Sequence, residues 1–359
     1  MFRRAAPKST ATNASITDAA PCQKSLKLRV GHEALAPIRA AVLAEFQKEA
    51  VLPGFRKGKA PADLVERQYA KAIREETVNR AAKQALEHAA KEHELKPVSP
   101  FEIRSAQFSD ADGLSLEAVV EVEPSFALGE YKGIALPQAS EAVSPEELQR
   151  ALTQLQESMA QLEPVPGKEG EAKQRRVPPL DDELAKDMGF AGLQALTDHV
   201  EAKLREQKRV ARLRAQETAI GDELLKRHAF EVPPGLVSHQ TERLARDFKV
   251  RLLLSGMPEA QVSEEAAKFT EQLRDSAARH VKLTFILDRI AARESVAIEQ
   301  NELVERLWQL SQRWKKDPAE VRKLFDDQGL WPSVLSAIRQ EKTMALLLST
   351  AVTHNGGSA

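Results

Sequence analysis

VLPGFRKGKAP, residues 51–61, lies between two stretches of helical periodicity and decides how the N-terminal third of the chain is read. Gly54 and Gly58 bound a loop that displays Phe55 beside Arg56, Lys57 and Lys59, and Pro61 follows at once. Upstream, from His32 to Glu49, Leu35, Ile38, Val42, Leu43 and Phe46 recur at helical spacing. Downstream, Pro61 suits the first turn of a second helix, which runs to about His93 with Leu64, Val65, Tyr69, Ile73, Val78, Ala82 and Leu86 on one side. The loop therefore joins two helices at one end.

Strands flank this pair. Residues 24–30, KSLKLRV, alternate Leu26, Leu28 and Val30 with polar partners, the pattern of a half-buried strand. After Pro97 and Pro100, FEIRSAQF (101–108) and LSLEAVVEVEP (114–124) read as two strands around the turn DADG at 110–113. Residues 22–125 are thus expected to form a compact α+β domain of one strand, two helices and a hairpin, preceded by a flexible tail over 1–21.

ALGEYKGIALPQ (127–138) reads as a connector, and Ser144-Pro145-Glu146-Glu147 as a capping box that opens a helix reaching about Leu162. Connector and helix, 126–163, are expected to pack with the C-terminal domain. PVPGKEGEAKQRRVPP (164–179) is charged and bracketed by prolines, so a flexible linker is expected. From Leu180 to 353 the chain reads as all helix: a long segment from Leu193 to His228, a break at VPPG (232–235), then helices over 236–255, 259–292, 299–313, 317–328 and 331–352. Residues 354–359 are expected as a disordered tail. The expectation overall is an elongated molecule, an α+β domain followed by a multi-helix domain with arm-like extensions.

Composition narrows the function classes. With 52 Lys and Arg against 53 Asp and Glu, the chain as a whole is not a general nucleic-acid binder, so any affinity for anions must come from a local patch. The single cysteine, Cys22, excludes an intramolecular disulfide and a cysteine-rich zinc site. No run approaches 18 apolar residues, so no membrane span or membrane partner is expected. The N-terminus MFRRAAPKSTATNAS is basic without an apolar core, unlike a secretory signal. A cytoplasmic location is expected, an organellar one after removal of a transit peptide being the alternative.

The loop fails as a phosphate cradle. Three residues rather than four separate Gly54 from Gly58, Lys59 is followed by Ala60, and helix rather than strand precedes it. Two readings stay open from the residues alone. One is a solvated basic linker between antiparallel helices. The other is a docking element, because an exposed phenylalanine forgoes about 1.5–3 kcal/mol that burial in a partner would recover, while the cations reach phosphates or carboxylates around it. His88 and His93 are five apart, about 140° out of register on a helix, and so are not a metal pair. No named nucleophile motif appears, and no cofactor is expected. Leu252, Leu253, Leu254 and Met257 could line an apolar groove that binds unfolded substrate, as could Trp308 and Trp314, although core packing is the default for the tryptophans.

GFRKGKAP (54–61) resembles the ribosome-docking signature of the trigger factor family, bacterial chaperones of the polypeptide exit tunnel. ALGEYKGIALP resembles that family's connector, VSPEELQRALTQL its next helix, and LDDELAKDMGF (180–190) and VPPGLVSHQTERLARDF (232–248) two stretches of its helical domain. The resemblance covers about residues 22–163 and 180–352, in the family's order. It implies that Phe55, Arg56 and Lys57, with Lys59 beside them, contact the ribosome, and that Gly54 and Gly58 shape the loop. The implied partners are a large-subunit protein at the tunnel exit, nearby ribosomal RNA, and nascent or unfolded chains, with room for a homodimer off the ribosome. The implied function is ATP-independent holding of clients that assists folding and export.

One departure matters. Most members carry an FKBP-type prolyl isomerase domain of roughly 90–100 residues between connector helix and LDDE segment, whereas Glu163 to Pro179 offers 17 residues. A protein without isomerase activity, and so not an enzyme, is expected. Rival readings are a free holdase or periplasmic chaperone of the SurA type, a ribosome-assembly factor, and a helical scaffold.

Overall fold

A computed structural model describes residues 13–109, 113–137, 141–164 and 173–353. The chain opens with β1 (Asn13–Ala20) and β2 (Gln23–Val30), continues through α1 (His32–Glu49), α2 (Ala62–Gln68) and α3 (Ala70–Glu92), and returns in β3 (Glu102–Ser109) and β4 (Gly113–Glu121). The four strands form one antiparallel sheet in the order β1-β2-β4-β3. Register follows the alternation: Leu28 lies opposite Leu116 and Leu26 opposite Ala118. Leu26, Leu28 and Val30 therefore share a face with Leu114, Leu116 and Val120, and that face packs on Leu35, Ile38 and Val42 of α1. The α3 contribution is largely alanine: Ala81, Ala82, Ala85 and Ala89 are buried with Ile73 and Leu86. Side chains this small let a helix lie close to a sheet, and Ala costs little in helix propensity.

Two features depart from the periodicity. Residues 13–20 belong to β1 rather than to a tail, with Asn13 opposite Arg29 and Ile16 opposite Leu26. Ile16 is the one large apolar residue in NASITDAA, so the strand takes its register from β2 rather than from its own pattern. The helix expected over 61–93 is two helices, broken at Tyr69 (φ −112°, ψ 21°), whose ring meets Phe46 at 6.0 Å. Residues 1–12, most of the DADG turn, 165–172 and the tail 354–359 lie outside the described residues.

Beyond the sheet come β5 (Ala135–Leu136), α4 (Pro145–Ser158), β6 (Gln161–Pro164), β7 (Lys173–Arg176), α5 (Asp182–Asp187) and α6 (Leu193–Arg227). Next are α7 (Pro234–Leu254), α8 (Glu259–Lys268), α9 (Thr270–Arg293), α10 (Gln300–Trp314), α11 (Pro318–Gln328), α12 (Trp331–Thr350) and β8 (Val352–Thr353). Ser144 caps α4 as its sequence requires: its side chain accepts from Glu147 N–H at 3.2 Å and Glu147 accepts in return at 2.8 Å. The helix ends at Ser158, short of Leu162, and the backbone of 161–164, at the end of the expected connector, pairs antiparallel with that of 173–176 in the segment expected as linker.

Contacts divide the chain into two units, and the division is not at the linker. One unit joins Met1–Leu128 to His228–Ile286; the other joins Gly129–Arg227 to Leu287–Ala359. Residues 228–286, expected in the helical domain, thus cluster with the sheet. In the second unit, buried Leu152, Leu184, Leu196, Ile220, Leu224, Ile338 and Leu347 supply the cores, and β5 pairs in parallel with β8. Among the described residues no helix is long and apolar enough to cross a membrane.

Lys208 on α6 donates to Glu147 at 2.6 Å and to the Ala142 carbonyl at 2.7 Å. The Lys208 ammonium and the Ser144 backbone N–H hold the Glu147 carboxyl below the usual carboxylate range. A carboxylate depressed in the folded state adds stability above its unfolded value of about 4.3, and that stability is lost as pH falls through the folded value. Lys208→Ala is therefore expected to lower the melting temperature at pH 7 and to have a smaller effect at pH 3, read from thermal melts of both proteins at both pH values.

Candidate docking loop and apolar helix faces

The loop begins where α1 can no longer continue. Ala50 closes the helix through its N–H to the Phe46 carbonyl at 2.8 Å, and Pro53 follows. Phe55 N–H then donates to Leu52 O at 3.0 Å with Gly54 at φ +86°, which is a type II turn with proline and glycine in the two central positions. Lys59 N–H donates to Arg56 O at 2.9 Å with Gly58 at φ +78°, a second turn of the same kind. Gly58 is constrained twice, because a Cβ there would also sit 3.1 Å from the Lys48 carbonyl. Consecutive turns of this geometry put Phe55, Arg56 and Lys57 at the apex.

The base is clamped. Ala50, Ala60 and Val65 are buried together, with Leu43, Phe46, Leu52 and Tyr69 packed against them. Gln47 on α1 reaches across to donate to the Ala60 carbonyl at 2.8 Å. Phe55 remains 41 % exposed and Val51 69 % exposed. Arg56, Lys57 and Lys59 are exposed and make no ion pair with any described residue. The result is an apolar tip ringed by free cations on a fixed base.

The other candidate residues separate by exposure. At the end of α7, Leu254 is 83 % and Leu253 45 % exposed, whereas Leu252 and Met257 are half-buried. Val250, absent from the sequence expectation, is exposed with them, and its spacing of three and four residues from Leu253 and Leu254 was the available signal. On α10, Trp308 is 57 % exposed and Val304, one turn before it, is 61 % exposed. With Gln300, Asn301 and Glu305 they line a shallow depression. Trp314 is 41 % exposed but rests on Phe325 at 5.9 Å between ring centres. Trp331 also meets Phe325, at 5.5 Å, and donates its indole N–H to Asp326 at 2.7 Å.

Sequence reading missed a further cavity of about 590 Å³ between α1 and α3, lined by Leu35, Leu43, Ile73 and Phe108 among others. Arg74 covers one end, 4.8 Å from the Phe108 ring centre, and Arg39 pairs with Glu66 at another. Among the described residues no group of His, Cys, Asp or Glu could hold a metal ion.

The model of the bacterial trigger factor protein (TF) matches residues 12–155, and that of the bacterial trigger factor protein (TF) C-terminus matches residues 192–349. A trigger factor of Solibacter usitatus is 22 % identical over 410 aligned positions, covering 92 % of this chain and 97 % of the relative. One of Geobacillus kaustophilus is 24 % identical over 398, covering 86 % and 92 %. Both alignments are longer than the chain's 359 residues, so these relatives carry stretches with no counterpart here. A solved trigger factor chaperone, described for promiscuous substrate recognition in folding and assembly, superposes with a TM-score of 0.52 at 18 % identity. That alignment covers 94 % of this chain and 99 % of the other, a likeness of fold. With both family models matched in order over most of its length, this chain belongs to the bacterial trigger factor family.

Proposed function

We propose that this protein is a ribosome-associated chaperone that docks through residues 51–61 and holds unfolded segments on exposed apolar helix faces without ATP. The observation that supports docking most is the pre-formed loop: Phe55 is exposed at its tip, and Arg56, Lys57 and Lys59 are unpaired around it. A partner surface built of protein and RNA would cover the ring and supply acceptors for the cations. Because the loop needs little ordering on binding, little of the contact energy is lost to entropy. The resemblance implies, as partner in this proposal, a large-subunit protein at the tunnel exit with nearby ribosomal RNA.

Client holding is supported by the two exposed stripes, Val250, Leu253 and Leu254 on α7 and Val304 and Trp308 on α10. Apolar clusters with polar rims bind apolar segments weakly and reversibly. Holding of this kind makes and breaks no bond, and no nucleotide motif is present in the sequence. Release would come from folding of the client. The segment between α4 and α5 is too short for a further folded domain, which supports a chaperone without prolyl isomerase activity.

Co-sedimentation with bacterial ribosomes tests the dock. Phe55→Ala should weaken binding by about tenfold to a hundredfold, from the loss of one buried aromatic side chain, and the triple change Phe55→Ala, Arg56→Ala, Lys57→Ala should abolish pelleting. Affinity should fall with salt at a log–log slope no steeper than about −2 to −3, set by three cations. Equal pelleting of wild type and triple variant would move the contact elsewhere on the molecule. No pelleting of either would favour a free holdase.

Client holding has its own test. Leu254→Ser with Trp308→Ser should reduce suppression of aggregation of a denatured, unrelated protein, while ribosome binding stays at the wild-type level. Undiminished suppression would remove these faces from the client surface. A proline-limited refolding assay should show no acceleration above the uncatalysed rate, and catalysis there would overturn the non-enzymatic reading.

A further inference from the structure

Helix α7 starts without a cap of its own. Its N-cap residue is Pro233, which offers no side-chain acceptor, and Pro234 follows in the first turn. The amides of the next two residues would then be left without partners. They are met from another element. Glu121, the last residue of β4, accepts from Gly235 N–H at 2.6 Å and from Leu236 N–H at 3.3 Å. Its side chain also accepts from Gln23 Nε2 at 3.3 Å, and the residue is 6 % exposed. A buried carboxylate stands in the molecule only where donors replace its water, and the positive end of a helix is such a place.

Gly235 fits the same arrangement. A Cβ there would lie 2.8 and 2.9 Å from the two carboxylate oxygens of Glu121, too close for either to stay. The glycine of VPPG thus serves close approach of the strand end rather than helix breaking alone. Around the contact, Phe126 stacks on Phe230 with ring centres 4.1 Å apart and planes at 4°, and Lys282 of α9 lies 5.1 Å from the Phe230 ring centre. Cys22, in the turn between β1 and β2, donates its thiol to the Glu231 carbonyl at 3.3 Å. Helix α7 in turn packs on α9 through Val237, Ala277 and Val281. Residues 228–286 and the sheet domain, which these contacts join, belong to one unit.

We propose that Glu121 is a positioning residue that caps α7 from outside the helix and thereby fixes the α7–α8–α9 segment to the loop-bearing sheet domain. In this arrangement the exposed stripe at Val250, Leu253 and Leu254 is carried by the same body as the loop at 54–59. Where a client would be held is then set by where the loop is docked. That consequence rests on the chaperone reading above; the contact itself does not.

The test uses the full chain without ribosome or client, so its failure and the failure of the docking reading are separate events. Amide hydrogen exchange is followed at Gly235 and Leu236 in wild type, Glu121→Gln and Gly235→Ala. Nitroxides at Arg29→Cys and Lys249→Cys, in a Cys22→Ser background, report the distance between sheet and α7. Both variants should exchange at least about tenfold faster at these two amides, with loop residues 54–59 unchanged, and the distance distribution should broaden. Glu121→Ala should behave likewise, and adding Gly235→Ala to it should do no further harm, since the oxygens that the Cβ would strike are gone. A merely structural role for Gly235 within its helix would give the same effect in both backgrounds. Wild-type exchange at Gly235 and Leu236 in Glu121→Gln, or an unbroadened distribution, overturns the proposal.

Discussion

A ring and three cations can be kept in water at a defined position only if the chain on either side of them is held by something else. Here that is a small apolar clamp, Ala50, Ala60 and Val65 buried under Phe46, Leu52 and Tyr69, tied across by Gln47 to the Ala60 carbonyl. The clamp needs α1 to end and α2 to begin within the same few ångströms, and so it needs the two helices to lie together on one sheet. The alanine face of α3 and the leucine and valine rows of β2 and β4 provide that platform. The sheet domain can be understood as the support that a presented phenylalanine requires. Without it, Phe55 would fold back against the nearest apolar surface, since burial favours a phenylalanine side chain by about 1.5–3 kcal/mol.

What the sequence discloses of this depends on the range of the interaction. The paired rows Leu26, Leu28, Val30 and Leu114, Leu116 and Val120 declare themselves by alternation, because a half-buried strand carries its own record of which face is inside. The glycines of the loop are equally legible, since both occupy positive φ that other residues adopt with strain. β1 is not legible: an edge strand of Ser, Thr, Ala and Asp is held by the backbone of β2, and its own side chains bury little. The break at Tyr69 escapes for a similar reason, as the ring's contact with Phe46 is tertiary. Least legible is the grouping of 228–286 with the sheet, whose contacts include a carboxylate and a glycine 114 positions apart.

Exposure on the helices is a different kind of ignorance. Amphipathic spacing tells which residues share a face, but a face turned to a partner and a face turned to the core have one pattern. Leu252 and Leu254 are two residues apart; one is half-buried and the other 83 % exposed. Trp308 stands out in solvent while Trp331 packs on Phe325 and has a partner for its indole N–H. A tryptophan packed against the fold ordinarily finds a partner for its indole N–H, as half-buried Trp331 does in Asp326. That distinction needs neighbours that only the fold supplies.

The shortened middle of the chain can be weighed in the same terms. The two matched regions leave residues 156–191 between them, and within that interval the backbone of Gln161–Pro164 pairs with that of Lys173–Arg176. Antiparallel pairing sets Pro164 opposite Lys173, at a spacing on the order of 5 Å. Folded domains commonly have their two ends close together, which is why insertions and losses are tolerated where the host chain also comes close to itself. A domain joined at such a place could be absent while α4 keeps its cap on Ser144 and its bond to Lys208, neither of which involves the interval. The loop, the Glu121 cap and the apolar stripes all lie outside it as well. The proposed docking loop and apolar stripes are therefore built from residues that the shortened interval does not include.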